Sequence, residues 1–146
     1  MTRRELGSLV SGAILSSALP EGAAAQQAAT LASTWLNFAE MQTRKSAGGG
    51  EIRAFVNGKL ATGERLECHE TTLPAGQMPH ASHHHLHSEM VLVREGTVEV
   101  AVGGKSKTIS AGGAVFIASN EEHGLTNVGA SPATYFIVAI GPTAGS

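Results

Sequence analysis

The chain has little of what usually identifies a protein's task. One cysteine, Cys68, excludes an internal disulfide and leaves the redox compartment unreadable from cysteine usage. In Leu66-Glu67-Cys68-His69-Glu70 it alternates as a strand residue would, and reads as a small buried side chain rather than a reactive thiol. Aspartate is absent, so all 12 acidic residues are glutamates, and 10 lysines and arginines leave a net charge of −2. No run of Lys or Arg gives the electrostatic footprint of a nucleic-acid or anionic-membrane partner. Aromatics amount to 4% of residues, and the single tryptophan, Trp35, has packing as its default role. No stretch is long and apolar enough for a stable membrane span. With 42% apolar residues and a length of 146, one globular domain of ordinary size is expected, and no internal repeat divides it.

What the chain does have is histidine. Five of its 7 histidines lie in GQMPHASHHHLHSEMVLVREG, Gly76 to Gly96: His80, His83, His84, His85 and His87. Glu89 and an apolar run follow. Imidazole nitrogen and carboxylate oxygen are the usual ligands of divalent iron, manganese, nickel, copper and zinc. In an extended segment His83 and His85 project from one face, and Glu89 can join them from the next strand. A helix would instead group His80, His84 and His87. Pro79 and the strand-like Val91-Leu92-Val93 favour the extended reading. His123, in GGAVFIASNEEHGLTN, is the candidate fourth ligand from elsewhere in the chain. An inward carboxylate at the head of an apolar strand is costly without a cation, which supports Glu89 as a ligand.

These residues resemble the two motifs of the cupin superfamily. His83-x-His85-x3-Glu89-x6-Gly96 is similar to the first motif, and Gly112-x10-His123-x3-Asn127 to the frame of the second. The resemblance covers roughly Ile52 to Ile140, with Thr97 to Ala111 as a spacer near the shortest that family allows. Ala118 stands where a proline is usual, Asn120 where a glycine is usual, and Gly76 lies one residue too far upstream for the leading glycine. The resemblance implies an all-β chain folded as a single cupin jelly-roll β-barrel (a double-stranded β-helix). It implies a divalent transition metal on His83, His85, Glu89 and His123, with iron, manganese, nickel, copper and zinc all open. It also implies a small-molecule substrate or ligand and a homodimer.

Before the barrel, the N-terminus reads as an export signal. Arg3-Arg4 precedes a mildly apolar stretch from Leu6 to Leu19, and Ala23-Ala24-Ala25 has the small-residue pattern of a cleavage site. Paired arginines with weak hydrophobicity resemble a twin-arginine signal, so residues 1–25 are expected to be a signal peptide and the mature protein periplasmic or secreted. Residues 26–50 form an extension, helical or irregular to Met41, ending in a flexible link at Ser46-Ala47-Gly48-Gly49-Gly50. The barrel then occupies residues 51–141.

Within it, strands are expected near Glu51–Val56, Arg65–Leu73, His83–His87, Glu89–Arg94, Thr97–Val102, Lys105–Ser110, Ala114–Ala118, Gly124–Asn127 and Ala133–Ile140. Gly103-Gly104 suits a two-residue hairpin turn. Both faces are apolar in Met90–Val93 and Tyr135–Ile140, so the outward face needs cover, from a second subunit or from the chain's own N-terminal segment.

Two functional classes follow. One is an enzyme on a small molecule, of dioxygenase, isomerase or lyase type. The other is a binding or storage module that does no chemistry. No motif places a general base beside the ligands; Glu70, Glu99, Tyr135 and His69 are the candidates, and the strand parity of His69 is open. Asn127 reads as a stabiliser of the turn or strand after His123, and His84 as pointing away from the metal. His80 and His87 read as solvated or supporting groups.

Overall fold

Valines, isoleucines and threonines alternating with polar residues, punctuated by glycine, carry the chain into antiparallel strands. The structure, a computed structural model, describes residues 30–142. The expected signal peptide therefore lies outside the described residues. The strands are β1 Thr43–Lys45, β2 Glu51–Lys59, β3 Arg65–Leu73, β4 Ser88–Glu95, β5 Thr97–Val102, β6 Lys105–Ser110, β7 Ala114–Ile117, β8 His123–Asn127 and β9 Ala133–Gly141. They form a six-stranded sheet, β1-β2-β3-β9-β4-β7, facing a three-stranded sheet, β6-β5-β8. This is the all-β jelly roll that the sequence implies.

One alternative is decided and two expectations are corrected. Among the described residues, the segment to Met41 takes the irregular of its two expected forms: besides an isolated bridge from Thr30 to Lys59 it holds a 3-10 turn, Phe38–Glu40, capped by the Asn37 side chain. Its backbone is claimed elsewhere: Leu31 N donates to Lys59 O at 2.8 Å, and Arg53 Nη1 donates to Phe38 O at 3.0 Å and Met41 O at 2.7 Å. The supposed flexible link is a tight β1–β2 turn. Ser46 N donates to Gly50 O at 2.9 Å, and a Cβ on Gly48 would sit 2.1 Å from Met78 O. Finally, His83–His87 is not a strand. Of these residues only His83 bridges a partner, His123, because no neighbouring strand runs beside the rest.

Strand register sorts the large sheet into rungs with opposite facing. Arg44, Ile52, Thr71, Tyr135 and Val93 form one inward rung. The next is Ala54, His69, Ile137, Val91 and Val115, and the last is Asn57, Glu67, Ala139, Glu89 and Ile117. From the facing sheet, Val98, Val100 and Val102 align with Asn127, Leu125 and His123. The core fills one end, around Leu73, Val93, Val98, Ala133 and Tyr135, each nearly or fully buried. The other end opens on the histidines.

The outward face has an apolar rung of its own: Val56, Cys68, Val138, Met90 and Phe116. Phe38 covers the polar end of this face, lying under the Arg53 guanidinium at 3.9 Å, while Arg94 pairs with buried Glu70 at 2.7 Å. Leu92, Phe116 and Ile140 remain 41%, 62% and 44% exposed, so the described N-terminal segment leaves them uncovered.

Candidate metal centre

Two pieces of chain meet at the open end. The loop after β3 carries His83, His85 and His87, and β8 starts with His123. His83 and His123 are joined by paired backbone hydrogen bonds of 3.0 and 2.9 Å. Asn120 N donates to His85 O at 2.9 Å, holding the loop from the other side. Asn120 itself adopts φ +64, the left-handed region that glycine would fill at this position and that asparagine tolerates. The departure from the second motif is thus conformationally silent.

The three side chains converge. Ligand atoms of His83, His85 and His123 all lie within 4.8 Å of one another, and the three rings pack at centroid separations of 4.6 to 5.0 Å. Nδ1 of His85 lies 3.0 Å from His87 O, and Nδ1 of His123 lies 2.8 Å from Glu121 O. A carbonyl only accepts, so both Nδ1 atoms carry a proton, and in the neutral ring each Nε2 keeps a free lone pair. Those Nε2 atoms are buried with no hydrogen-bond partner among the described residues, as is Nδ1 of His83. Buried nitrogens of this kind are costly unless paired. A divalent cation satisfies all three at once, so the residues fit a metal.

Glu89 stands differently. It heads β4 on the inward side, its side chain 12% exposed, with Oε2 3.2 Å from His85 Nε2 and 3.8 Å from His87 Nε2. Its carboxylate groups with His85 and His87 within 4.8 Å rather than with His83 and His123. His87 stacks on His85 at 3.5 Å, a closeness that sequence spacing did not reveal because the loop doubles back. His84 is turned away, largely exposed and 3.2 Å from Glu122. His80 sits edge-on to His83 at 4.3 Å. Asn127 is fully buried, donating to Leu73 O and Ser131 O at 2.9 Å and accepting from Gly129 N, which makes it a structural clasp.

Beside the cluster lies a cavity of about 340 Å³. Glu89, His123 and His80 line it together with His69, Tyr135 and Arg44. A second cavity of about 220 Å³ is lined by His85, His87, Glu67 and Arg65. The register settles the parity of His69: it faces inward, with Nδ1 3.3 Å from Glu67 Oε1. Glu70 faces outward to Arg94, and so leaves the site. Burial lowers the pKa of His69 despite nearby Glu67 and Glu89, and it lowers His83 and His87 as well. At His83 the neighbouring His80, His123 and His85 add to the effect of burial. Burial raises the Tyr135 hydroxyl far above its usual value.

No curated protein matches this chain in sequence. Its fold is similar to an RmlC-like cupin from Shewanella frigidimarina, with TM-score 0.65 and 20% identity over 82% of this chain and 96% of that one. It is also similar to KdgF from Halomonas sp., at TM-score 0.64 and 18% identity over 78% and 97% of the two chains. A sugar phosphate isomerase of the cupin superfamily from Silicibacter pomeroyi gives 0.61 and 15% identity over 73% and 74%. The cupin domain family model matches residues 69–139, from His69 on β3 to Ala139 on β9. By motif and by fold alike, residues 69–139 are similar to a cupin domain.

Proposed function

We propose that this protein is a metal-dependent cupin enzyme that moves protons on a small polar molecule, as an isomerase or lyase does. The observation that carries this reading is His69, which opens on the same cavity as Glu89 and His123. A buried imidazole with a lowered pKa is neutral at pH 7 and can accept a proton, and Glu67 beside it steadies the imidazolium that results. Tyr135, whose hydroxyl burial keeps protonated, lines the same cavity and can offer its O–H as a donor. A cavity that contains these groups suits acid–base work better than dioxygen chemistry on an apolar substrate. His83, His85 and His123 with Glu89 would hold the ion; when bound, a divalent metal polarises a substrate oxygen and favours the anion formed on proton loss. The isomerase among the structurally similar proteins fits this class.

The non-catalytic binding module is the second reading, and the same experiment separates the two. Untagged protein is analysed for bound metal, then screened against small sugars, hydroxy acids and keto acids, with His69→Gln as control. Turnover lost in His69→Gln at unchanged metal content supports the enzyme. Binding without turnover in the native protein supports the module. We further propose export by the twin-arginine route, on the signal elements of residues 1–25, and a homodimer through the outward face that bears Leu92, Phe116 and Ile140.

A further inference from the structure

We propose that Arg44 is the recognition group for an anionic small molecule, so that the ligand of this cavity carries a carboxylate or phosphate group. The position of Arg44 follows from register. It pairs with Ile52, which aligns with Thr71 and Tyr135 on the inward rung, and it lines the cavity from an exposed strand, as its neighbour Lys45 also does. The other described arginines already have partners: Arg53 the carbonyls of Phe38 and Met41, Arg65 the Asn57 side chain, and Arg94 the Glu70 carboxylate. Lys45, next in sequence, pairs with Glu51 at 2.8 Å. Arg44 has neither an ion pair nor a hydrogen bond among the described residues. The one carboxylate lining the cavity, Glu89, is turned to His85 and His87.

The placement is built into the fold. Arg44 lies two residues before the Ser46–Gly50 turn, and that turn packs so closely on Met78 and Pro79 that a side chain on Gly48 has no room. The hairpin and the histidine loop are thereby held as one unit. Arg44 is near enough to His69 for its charge to help lower that group's pKa. A guanidinium fork at the mouth of a cavity, without an internal acid to face, is suited to a planar carboxylate or a phosphate. The ligand then lies with its anionic end at Arg44 and its reacting end toward Glu89 and His123. Calling that ligand a substrate rests on the enzyme reading above; anion binding at Arg44 does not.

The test compares matched probes on full-length metal-loaded protein: lactate with lactamide, benzoate with benzamide, and phenyl phosphate with phenol. Thermal shift is read at rising concentration, since a ligand that binds only the folded state raises Tm. The expected result is that acids of one class raise Tm and their neutral partners do not. Arg44→Ala and Arg44→Gln should weaken that response at least tenfold at unchanged metal content and unchanged ligand-free Tm. A response confined to carboxylates or to phenyl phosphate names the class. The proposal is overturned if neutral probes act equally, if no anion acts, or if the anion response survives in both variants, as coordination to metal alone would give. Absence of metal with an intact Arg44-dependent response would remove the metal centre and leave this inference standing.

Discussion

His83 and His123 are hydrogen-bonded to each other through both backbone positions, at 3.0 and 2.9 Å, although they belong to different motifs. This two-residue bridge is what brings the imidazoles of the loop against the imidazole of β8. Its first consequence is for metal content. His123→Ala should lower metal affinity as much as His83→Ala or His85→Ala, by roughly tenfold or more, while His84→Ala should have little effect. Elemental analysis of untagged protein after dialysis against a weak chelator measures this. Equal retention in all four variants would sink the site.

His87 gives a prediction that sequence spacing alone did not. Its ring stacks on His85 at 3.5 Å and its Nε2 is 3.8 Å from Glu89. His87→Ala should therefore weaken metal binding by an amount between those of His83→Ala and His84→Ala. An effect as small as that of His84→Ala would show that Glu89 orients without it.

Acid should release the metal and destabilise the fold together. His83 is held below the ordinary histidine value of 6.5, first by burial and then by its histidine neighbours. As pH falls below 6.5 the unfolded chain takes up a proton that the folded chain resists, so the unfolded state binds more protons. Stability present above that pH is thus lost as pH falls through the lower folded value. Bound metal depresses the folded values further, because it competes with protons for the same nitrogens. Melting curves from about pH 8 to about pH 5, a range that brackets histidine titration, should fall more steeply for metal-loaded than for chelator-treated protein. Parallel curves would mean that the ion does not depend on these histidines.

Asn127 makes a prediction about stability without chemistry. Its side chain satisfies two carbonyls and one N–H in a fully buried position. Asn127→Ala should cost about 3 kcal/mol, since buried polar groups lose their partners. Metal content per folded chain should stay the same. Chemical denaturation measures the first quantity and elemental analysis the second.

Export is tested on the precursor. Changing Arg3 and Arg4 together to Lys should leave unprocessed protein in the cytoplasm, whereas the native signal should yield mature protein outside with cleavage near Ala25. Normal export of the double variant would rule out the twin-arginine route.

Much of the barrel was legible in the residues because alternation and glycine punctuation are local signals. Thr97–Val102 and Lys105–Ser110 were expected to the residue, since Gly103 and Gly104 both take the positive φ their turn requires, at 56° and 79°. The convergence of His83, His85 and His123 was legible too, as spacings. What was not legible depended on distant chain. β1 is three residues long and exists because β2 offers it an edge, so Thr43, Arg44 and Lys45 carry no signal of their own. The inward facing of His69 needed the register against Ile137, and the contact of His87 with Glu89 needed the path of a loop without a partner strand.

Cys68 lies on the outward rung between Val56 and Val138, three strands from exposed Phe116, and it is half-buried with a thiol pKa raised by burial. As the sole thiol of the chain it is a ready-made chemical footprint of that face. A maleimide that reacts with dilute protein and slows as concentration rises would record the face being shielded by another copy. No label has to be introduced to read it.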